Sequence, residues 1–195
     1  MEKMVFFLGA AGAGKTTVAE ALVRRRGAAF LDMDTLLRPA ARAIMTVAGH
    51  DPNDRDSPEY KALCRDLGYR ITMDAALENA RLGMDVYIVG PFTKETADRD
   101  WLDRELASIG ATTGDIDVKV IYVFLADERR YRERIEGREL ESDAWKLAHW
   151  SEFSRSLSRR DIRWALPEQS VLYFDNSDAL TEEKIASLER FVFGS

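Results

Sequence analysis

Eight consecutive residues constrain this chain more than any other stretch. Gly9-Ala10-Ala11-Gly12-Ala13-Gly14-Lys15-Thr16 satisfies every fixed position of G-x-x-x-x-G-K-[ST], the Walker A pattern. An apolar run suited to a buried strand, Val5 to Leu8, precedes it. After it, Val18, Ala19, Leu22 and Val23 recur at helical spacing from Lys15 to Arg26, and Gly27 supplies a stop. Between a strand and a helix, small residues let the backbone close around a phosphate with its N–H groups pointing inward. The helix start adds partial positive charge. Lys15 supplies a full charge to the β- and γ-phosphates, and the Thr16 hydroxyl is an oxygen ligand for Mg²⁺. Gly9, Gly12, Ala13, Gly14, Lys15, Thr16 and Thr17 are therefore the expected nucleotide-binding set. ATP, with GTP as the other possibility, and Mg²⁺ are the expected cofactors.

The rest of the sequence alternates strand and helix. Ala28 to Leu31, Val86 to Val89, Val118 to Leu125 and Val171 to Phe174 are further short apolar runs, each suited to a strand. Helical patterns are expected from a Thr93 cap through Ala97, Trp101, Leu102 and Leu106, from about Asp127, and from about Thr181 with Ile185, Leu188 and Phe191. This order predicts an α/β fold of the P-loop NTPase type: a five-stranded parallel sheet flanked by helices. Two regions exceed a simple crossover, a helical insertion over about 35–83 and a second helical excursion over about 127–166. In the first, two helices are joined by residues 50–56. The second of them starts at Ser57-Pro58, a capping serine before a proline at the first helical position, and places Tyr60, Leu63, Cys64, Leu67 and Ile71 on one face. No repeat or linker divides the chain, so residues 1–195 are expected to form a single unit.

Two carboxylates follow the second strand, in Phe30-Leu31-Asp32-Met33-Asp34-Thr35. Strand ends on this side of an α/β sheet face the ligand crevice. One carboxylate can support Mg²⁺ through water while the other takes a proton from a substrate hydroxyl. Asp34 is also placed to cap the helix that follows. The third strand ends in Gly90-Pro91 without the Walker-B carboxylate of many ATPases, and the only Asp-Glu after an apolar run, Asp127-Glu128, is offset by Ala126 and opens an arginine-rich helix. That argues against a mechanical or AAA-type ATPase. In Arg129 to Arg138, most charges form a solvated face with i,i+4 pairs such as Arg129–Glu133 and Arg132–Glu136. Arg134 and Arg138, near the helix end, are the candidate lid arginines for a transferring phosphate. His149 and the aromatic residues around it read as packing rather than catalysis, and Cys64 as a buried small hydrophobe.

Charge and composition narrow the partners. With 28 Lys and Arg against 34 Asp and Glu, the net charge is -6, which disfavours general binding to nucleic acid or anionic membrane. The single cysteine excludes an intramolecular disulfide. The first apolar run is too short for a secretory segment, and no window approaches a membrane span. A cytoplasmic protein with no membrane partner is expected.

Taken together, the phosphate loop, Asp32-x-Asp34, the apolar strand ending at Gly90 and Arg134-Ile135-x-x-Arg138 resemble the P-loop small-molecule kinases. That group includes shikimate and gluconate kinases, chloramphenicol phosphotransferase, zeta-toxin-like kinases and P-loop kinases carrying an AAA-domain label. The resemblance implies a five-stranded parallel sheet, an inserted acceptor-binding region and an arginine-bearing lid. It implies ATP-dependent phosphorylation of a hydroxyl on a small molecule, a metabolite, nucleoside-like compound or antibiotic. It further implies Lys15, Asp34, Arg134 and Arg138 as catalytic residues, with Asp34 as base, and Thr16 and Asp32 at the metal. The segment Val89 to Glu95 is placed to face the acceptor. Two other readings stay open at this level: a nucleotide-dependent switch or ATPase, and a polynucleotide-end kinase, which would want a basic groove.

Overall fold

The computed structural model describes residues 1–138 and 143–194; residues 139–142, within the expected lid, and Ser195 lie outside the described residues. Five parallel strands form one sheet in the order β2-β3-β1-β4-β5. They are β1 (Lys3–Leu8), β2 (Ala29–Asp32), β3 (Val86–Val89), β4 (Asp117–Phe124) and β5 (Val171–Asp175). The helices are α1 (Lys15–Arg26), α2 (Met33–Val47), α3 (Pro58–Arg81), α4 (Trp101–Ala107), α5 (Glu128–Glu136), α6 (Ala144–Ala148), α7 (Trp150–Phe153) and α8 (Glu182–Phe193).

The central strand follows from its composition. Met4, Val5, Phe6, Phe7 and Leu8 are all fully buried, as a strand covered on both faces requires. Met4, Phe6 and Leu8 point to one side and pack with α3 and α4 through Met73, Leu77, Leu102 and Leu106. Val5 and Phe7 point to the other and pack with α1 and α8 through Val18, Leu22, Ile185 and Leu188. Phe7 lies beside Val89 of β3 on one edge and Ile121 of β4 on the other. The chain order reverses about β1, and in an open parallel sheet a ligand crevice opens beyond the carboxyl ends of the strands at such a point.

Local chemistry sets the helix starts. Ser57 accepts the Tyr60 N–H at 3.0 Å, with Pro58 in the first turn. Asp127 caps α5 through the Arg130 N–H at 3.0 Å, and Thr181 caps α8. The insertion has a small core of its own, Leu37, Ala41 and Met45 of α2 against Tyr60 and Cys64 of α3. The second half of α3 joins the main core through Tyr69, Met73, Ala76 and Leu77, which fixes the insertion to the sheet.

Two sequence expectations fail here. Leu63 and Leu67 are exposed at 44% and 37%, because the buried stripe of α3 instead repeats every fourth residue through Tyr60, Cys64, Gly68, Thr72 and Ala76. Nor does Thr93 cap a helix. A short 3-10 turn covers Glu95–Ala97, and α4 begins only at Trp101. Phe92 carries φ 41, and its ring packs edge-on against Phe6, Tyr69 and Trp101. The carbonyls of Glu95 and Thr96 are taken by Trp164 Nε1 at 2.8 Å and the Arg163 N–H at 2.9 Å. A continuing helix would need those acceptors for itself. In the same cluster the rings of Trp101 and Trp164 stack, 5.3 Å apart and 20° from parallel.

Candidate active site

The phosphate loop runs from the end of β1 into α1. Gly9 has φ 134, and a Cβ there would stand 2.1 Å from the Val123 carbonyl oxygen. Gly14 has φ 90, and a Cβ there would stand 2.5 Å from Asn176 Nδ2. Neither position admits a side chain. The loop is also braced from outside. The Ala13 carbonyl accepts from Asn176 Nδ2 at 2.8 Å and from an Arg134 guanidinium nitrogen at 3.3 Å. Asn176, 5% exposed, follows β5 and is itself tied to Phe124 through its backbone N–H. The Lys15 ammonium reaches across the loop to the Ala10 carbonyl at 3.0 Å.

Asp32 and Asp34 divide their work. One oxygen of Asp32 accepts the backbone N–H groups of Asp34 and Thr35 at 2.9 and 3.3 Å, so Asp32, and not Asp34, is the cap of α2. Its other oxygen accepts the Thr16 hydroxyl at 2.8 Å. With the capping role filled by its neighbour, the Asp34 side chain opens onto the cleft. Its carboxyl is water-accessible, yet protein on all sides replaces much of the bulk solvent. That desolvation raises its pKa above the ordinary carboxylate value, against the pull of Lys15 and with help from Asp32. Lys15 is shifted the opposite way: burial lowers its pKa, Asp34 and Asp32 resist, and Arg138 and Lys146 add to the lowering.

The two candidate arginines stand in different settings. Arg134, half-buried on α5, donates to the carbonyls of Ala13 and Asn176 and so lies against the loop. Arg138 lies just past α5 and pairs with Asp143 at 3.0 Å, an ion pair too bent to count as a hydrogen bond to that oxygen. Asp143 continues to Lys146 on α6 at 2.9 Å, and Lys146 continues to Asp56 in the loop before α3 at 2.8 Å. Lys146 is only 7% exposed. Burial works against its charge, but Asp56 and Asp143 prevail and its pKa is raised. This chain of charges joins the lid segment to the insertion, and Lys61 of α3 adds a second link by standing over the Trp145 ring at 5.3 Å.

These elements enclose a cleft of about 1620 Å³ that begins at the phosphate loop and runs between α2, α3 and the α5–α7 segment. Lys15, Thr16, Thr17, Asp32, Asp34, Arg134 and Arg138 all line it, with Gly9, Gly12 and Gly14, whereas Ala13 turns inward and is fully buried. Val89, Gly90, Pro91, Thr93 and Lys94 also line it; Phe92 is in the core, and Glu95 receives Arg65 at 3.2 Å. Among the described residues eleven lysines and arginines face the cleft against six aspartates and glutamates, the reverse of the overall charge. Asn176, Lys146, Arg38 and Arg42 are site residues the sequence reading missed. The first two sit in segments whose local pattern says only loop and lid. Arg38 and Arg42, spaced four apart on α2, carried a signal that periodicity could have used. His149 stacks on Trp145 and its Nδ1 lies 3.0 Å from the Trp145 carbonyl, a packing role. Asp127 caps α5, and Glu128 accepts the Trp150 indole N–H at 2.6 Å, so both acids of that pair have structural partners.

The donor set suits a nucleotide with Mg²⁺. No group of three His, Cys, Asp or Glu residues able to hold a metal exists among the described residues. Thr16 and Asp32 offer oxygen alone, which fits an ion that keeps several waters and takes its other ligands from phosphates. Gly9, Gly12 and Gly14 line the cleft, which leaves the loop backbone open to close approach of a phosphate.

The sequence profile of the AAA domain family matches residues 4–160. The chain belongs to this family. No curated protein matches it. Among solved structures, a sugar kinase from a Janibacter species superposes with a TM-score of 0.60 at 16% identity, covering 100% of this chain and 95% of that one. A putative kinase from Chloroflexus aurantiacus gives 0.64 at 16% identity, with 98% of each chain covered. A gluconokinase from Sinorhizobium meliloti gives 0.55 at 17% identity, covering 99% and 94%. The family member thus has the fold of P-loop kinases, as its motifs suggested, and no described helix is long and apolar enough to cross a membrane.

Proposed function

We propose that this AAA domain family member is an ATP-dependent phosphotransferase that moves the γ-phosphate of ATP to a hydroxyl of a small molecule, with Mg²⁺ as its metal. Residues 1–195 act as one kinase unit, with the acceptor between the 35–83 insertion and the 127–166 lid. The observation that carries this reading is the placement of Asp34. It faces the cleft beside Lys15, is free of the capping role, and has its basicity raised by desolvation.

Each residue then has a defined task. The loop from Gly9 to Thr17 and Lys15 hold the nucleotide phosphates. Thr16 and Asp32 support Mg²⁺, which supplies charge neutralisation at the phosphates. Asp34 accepts the hydroxyl proton as the acceptor oxygen bonds to the γ-phosphorus. The bond from that phosphorus to the β-bridging oxygen breaks, and ADP leaves with the electron pair. Arg134 orients the loop and, with Arg138, stabilises charge on the moving phosphoryl group. The lid and insertion exclude water, which would otherwise consume ATP.

The test is ATP consumption by purified protein with and without a panel of hydroxyl compounds. Slow consumption alone, acceleration by one acceptor and loss of that acceleration in Asp34→Asn with ATP binding retained are expected. Acceptor-independent hydrolysis that Asp34→Asn leaves unchanged would show an ATPase or switch instead.

A further inference from the structure

The cationic lining of the cleft exceeds what a nucleotide needs. Lys15 and Arg134 stand at the phosphate loop; Arg138 is matched by Asp143, Lys146 by Asp56 and Asp143, and Arg65 by Glu95 and Asp66. Arg38, Arg42 and Arg160 differ, and the first two stand together on one helix. Both lie on α2 and both line the cleft, yet neither has an ion pair or a side-chain hydrogen bond among the described residues. Like charges four apart on a helix weaken it, so the pair brings α2 no stability of its own. Asp34 stands four residues before Arg38 on the same helix. Asp34, Arg38 and Arg42 therefore form one ladder, with steps of about 6 Å along the axis.

We infer that Arg38 and Arg42 hold a phosphate already present on the acceptor, so that the substrate is a small phosphate monoester bearing a free hydroxyl. This inference rests on the phosphotransferase reading and names its substrate class. A carboxylate offers one charge and two oxygens, which one guanidinium fork satisfies. A phosphate monoester carries about −1.5 to −2 charges and three terminal oxygens, which match two forks. The rise of α2 places the accepting hydroxyl about 6–12 Å from that phosphate, the span of a sugar phosphate or a nucleoside monophosphate. The cleft volume of about 1620 Å³ exceeds the roughly 300–1,000 Å³ of a single small-molecule site, leaving room for such an acceptor beside ATP. The transfer balances as before: the acceptor hydroxyl proton goes to Asp34, the new O–P bond forms, and ADP departs. The phosphate held by the arginines takes no part in bond making.

The test uses binding, so that it stands apart from turnover. Asp34→Asn protein is saturated with Mg²⁺ and a non-hydrolysable ATP analogue to fill the phosphate loop. Calorimetry then measures glucose 6-phosphate, ribose 5-phosphate, cytidine 5′-monophosphate and inorganic phosphate, with glucose, gluconate and cytidine as counterparts and an oligonucleotide with a 5′-hydroxyl as a further arm. The expected result is that at least one phosphate compound binds, at least tenfold tighter than its counterpart. Adding Arg38→Gln and Arg42→Gln should weaken it at least tenfold with the affinity for the ATP analogue unchanged. The sugar and nucleotide arms distinguish the two sources of the phosphate. Equal binding of gluconate or a neutral compound, indifference to the arginine changes, or no phosphate binding at all would overturn the inference and leave the kinase reading standing. Preference for an oligonucleotide with a 5′-hydroxyl over every monomer would overturn it in favour of a polynucleotide acceptor. Failure of the unmutated protein to bind the ATP analogue would instead remove the kinase reading itself.

Discussion

The Thr16 hydroxyl donates to Asp32 at 2.8 Å through the carboxylate oxygen that the α2 cap leaves over. One side chain thus ties the start of α1 to the start of α2 and offers an oxygen pair for a hard cation. Asp32→Asn keeps the cap, since asparagine caps about as well as aspartate. It removes the charge that, in the proposed mechanism, attracts Mg²⁺. The expected outcome is a higher Mg²⁺ concentration for half-maximal rate with thermal stability close to that of the unmutated chain. A large fall in melting temperature with an unchanged Mg²⁺ requirement would restrict Asp32 to capping.

The pH dependence of turnover follows from two opposed shifts. Asp34 must be ionised to take a proton, and desolvation raises its pKa above 3.8, so activity should fall on acidification at a pH higher than an ordinary carboxylate would give. Lys15 must be protonated to neutralise phosphate charge, and burial lowers its pKa below 10.5, so activity should fall on the alkaline side earlier than a surface lysine would dictate. The kcat/KM profile should be a bell narrowed from both sides. Asp34→Asn should cut phosphoryl transfer by roughly 10²–10⁴-fold and erase the acidic limb of what remains.

Lys146 is the deepest cation of the lid segment and sits between two carboxylates. Lys146→Met should lower stability by about 3 kcal/mol, because removing one partner leaves buried charge uncompensated. Denaturant unfolding measures this. The double variant Lys146→Met with Asp56→Asn should recover part of the loss, which a simple packing defect would not.

The brace on the phosphate loop is testable apart from the charges that touch phosphate. Asn176→Ala deletes the donor to the Ala13 carbonyl and should weaken ATP binding several-fold with little effect on secondary structure. Gly14→Ala forces a Cβ into Asn176 at a backbone angle that alanine rarely adopts, so it should abolish nucleotide binding. Arg134→Ala should lower both affinity and rate, since Arg134 touches the loop, whereas Arg138→Ala should lower the rate more than it raises KM for ATP. Equal effects of the two arginine changes would contradict their different settings.

The frame of the molecule was legible because each element announces itself locally. The apolar run of β1, the Walker A loop, Gly27 after α1 and the Ser57-Pro58 start of α3 depend on residues within a few positions of one another. Two helices in the insertion and a buried Cys64 were also legible, although the face expected of α3 was wrong at Leu63 and Leu67. What could not be read depends on residues far apart in the chain. Thr93 carries a cap signal that Trp164 and Arg163 override from about seventy positions away. Asn176 matters only because β5 delivers it to the Ala13 carbonyl, 163 residues earlier. The sequence offered Asp34 as a cap for α2, and only the folded backbone moved that role to Asp32.

The four tryptophans divide into two optical populations. Trp101 and Trp164 are stacked in the core beneath the sheet, so their coupled near-ultraviolet dichroism reports whether the fold as a whole is intact. Trp145 and Trp150 lie in the lid segment, one under Lys61 and the other under Arg132 at 5.4 Å, where nearby cations tune their emission. Replacing Trp150 with phenylalanine should leave a fluorescence signal from Trp145 that changes when nucleotide and acceptor enter. The dichroic signal of the stacked pair should stay constant through the same titration. The chain thus carries a built-in reference and a built-in reporter, and occupancy of the cleft can be followed without an added label.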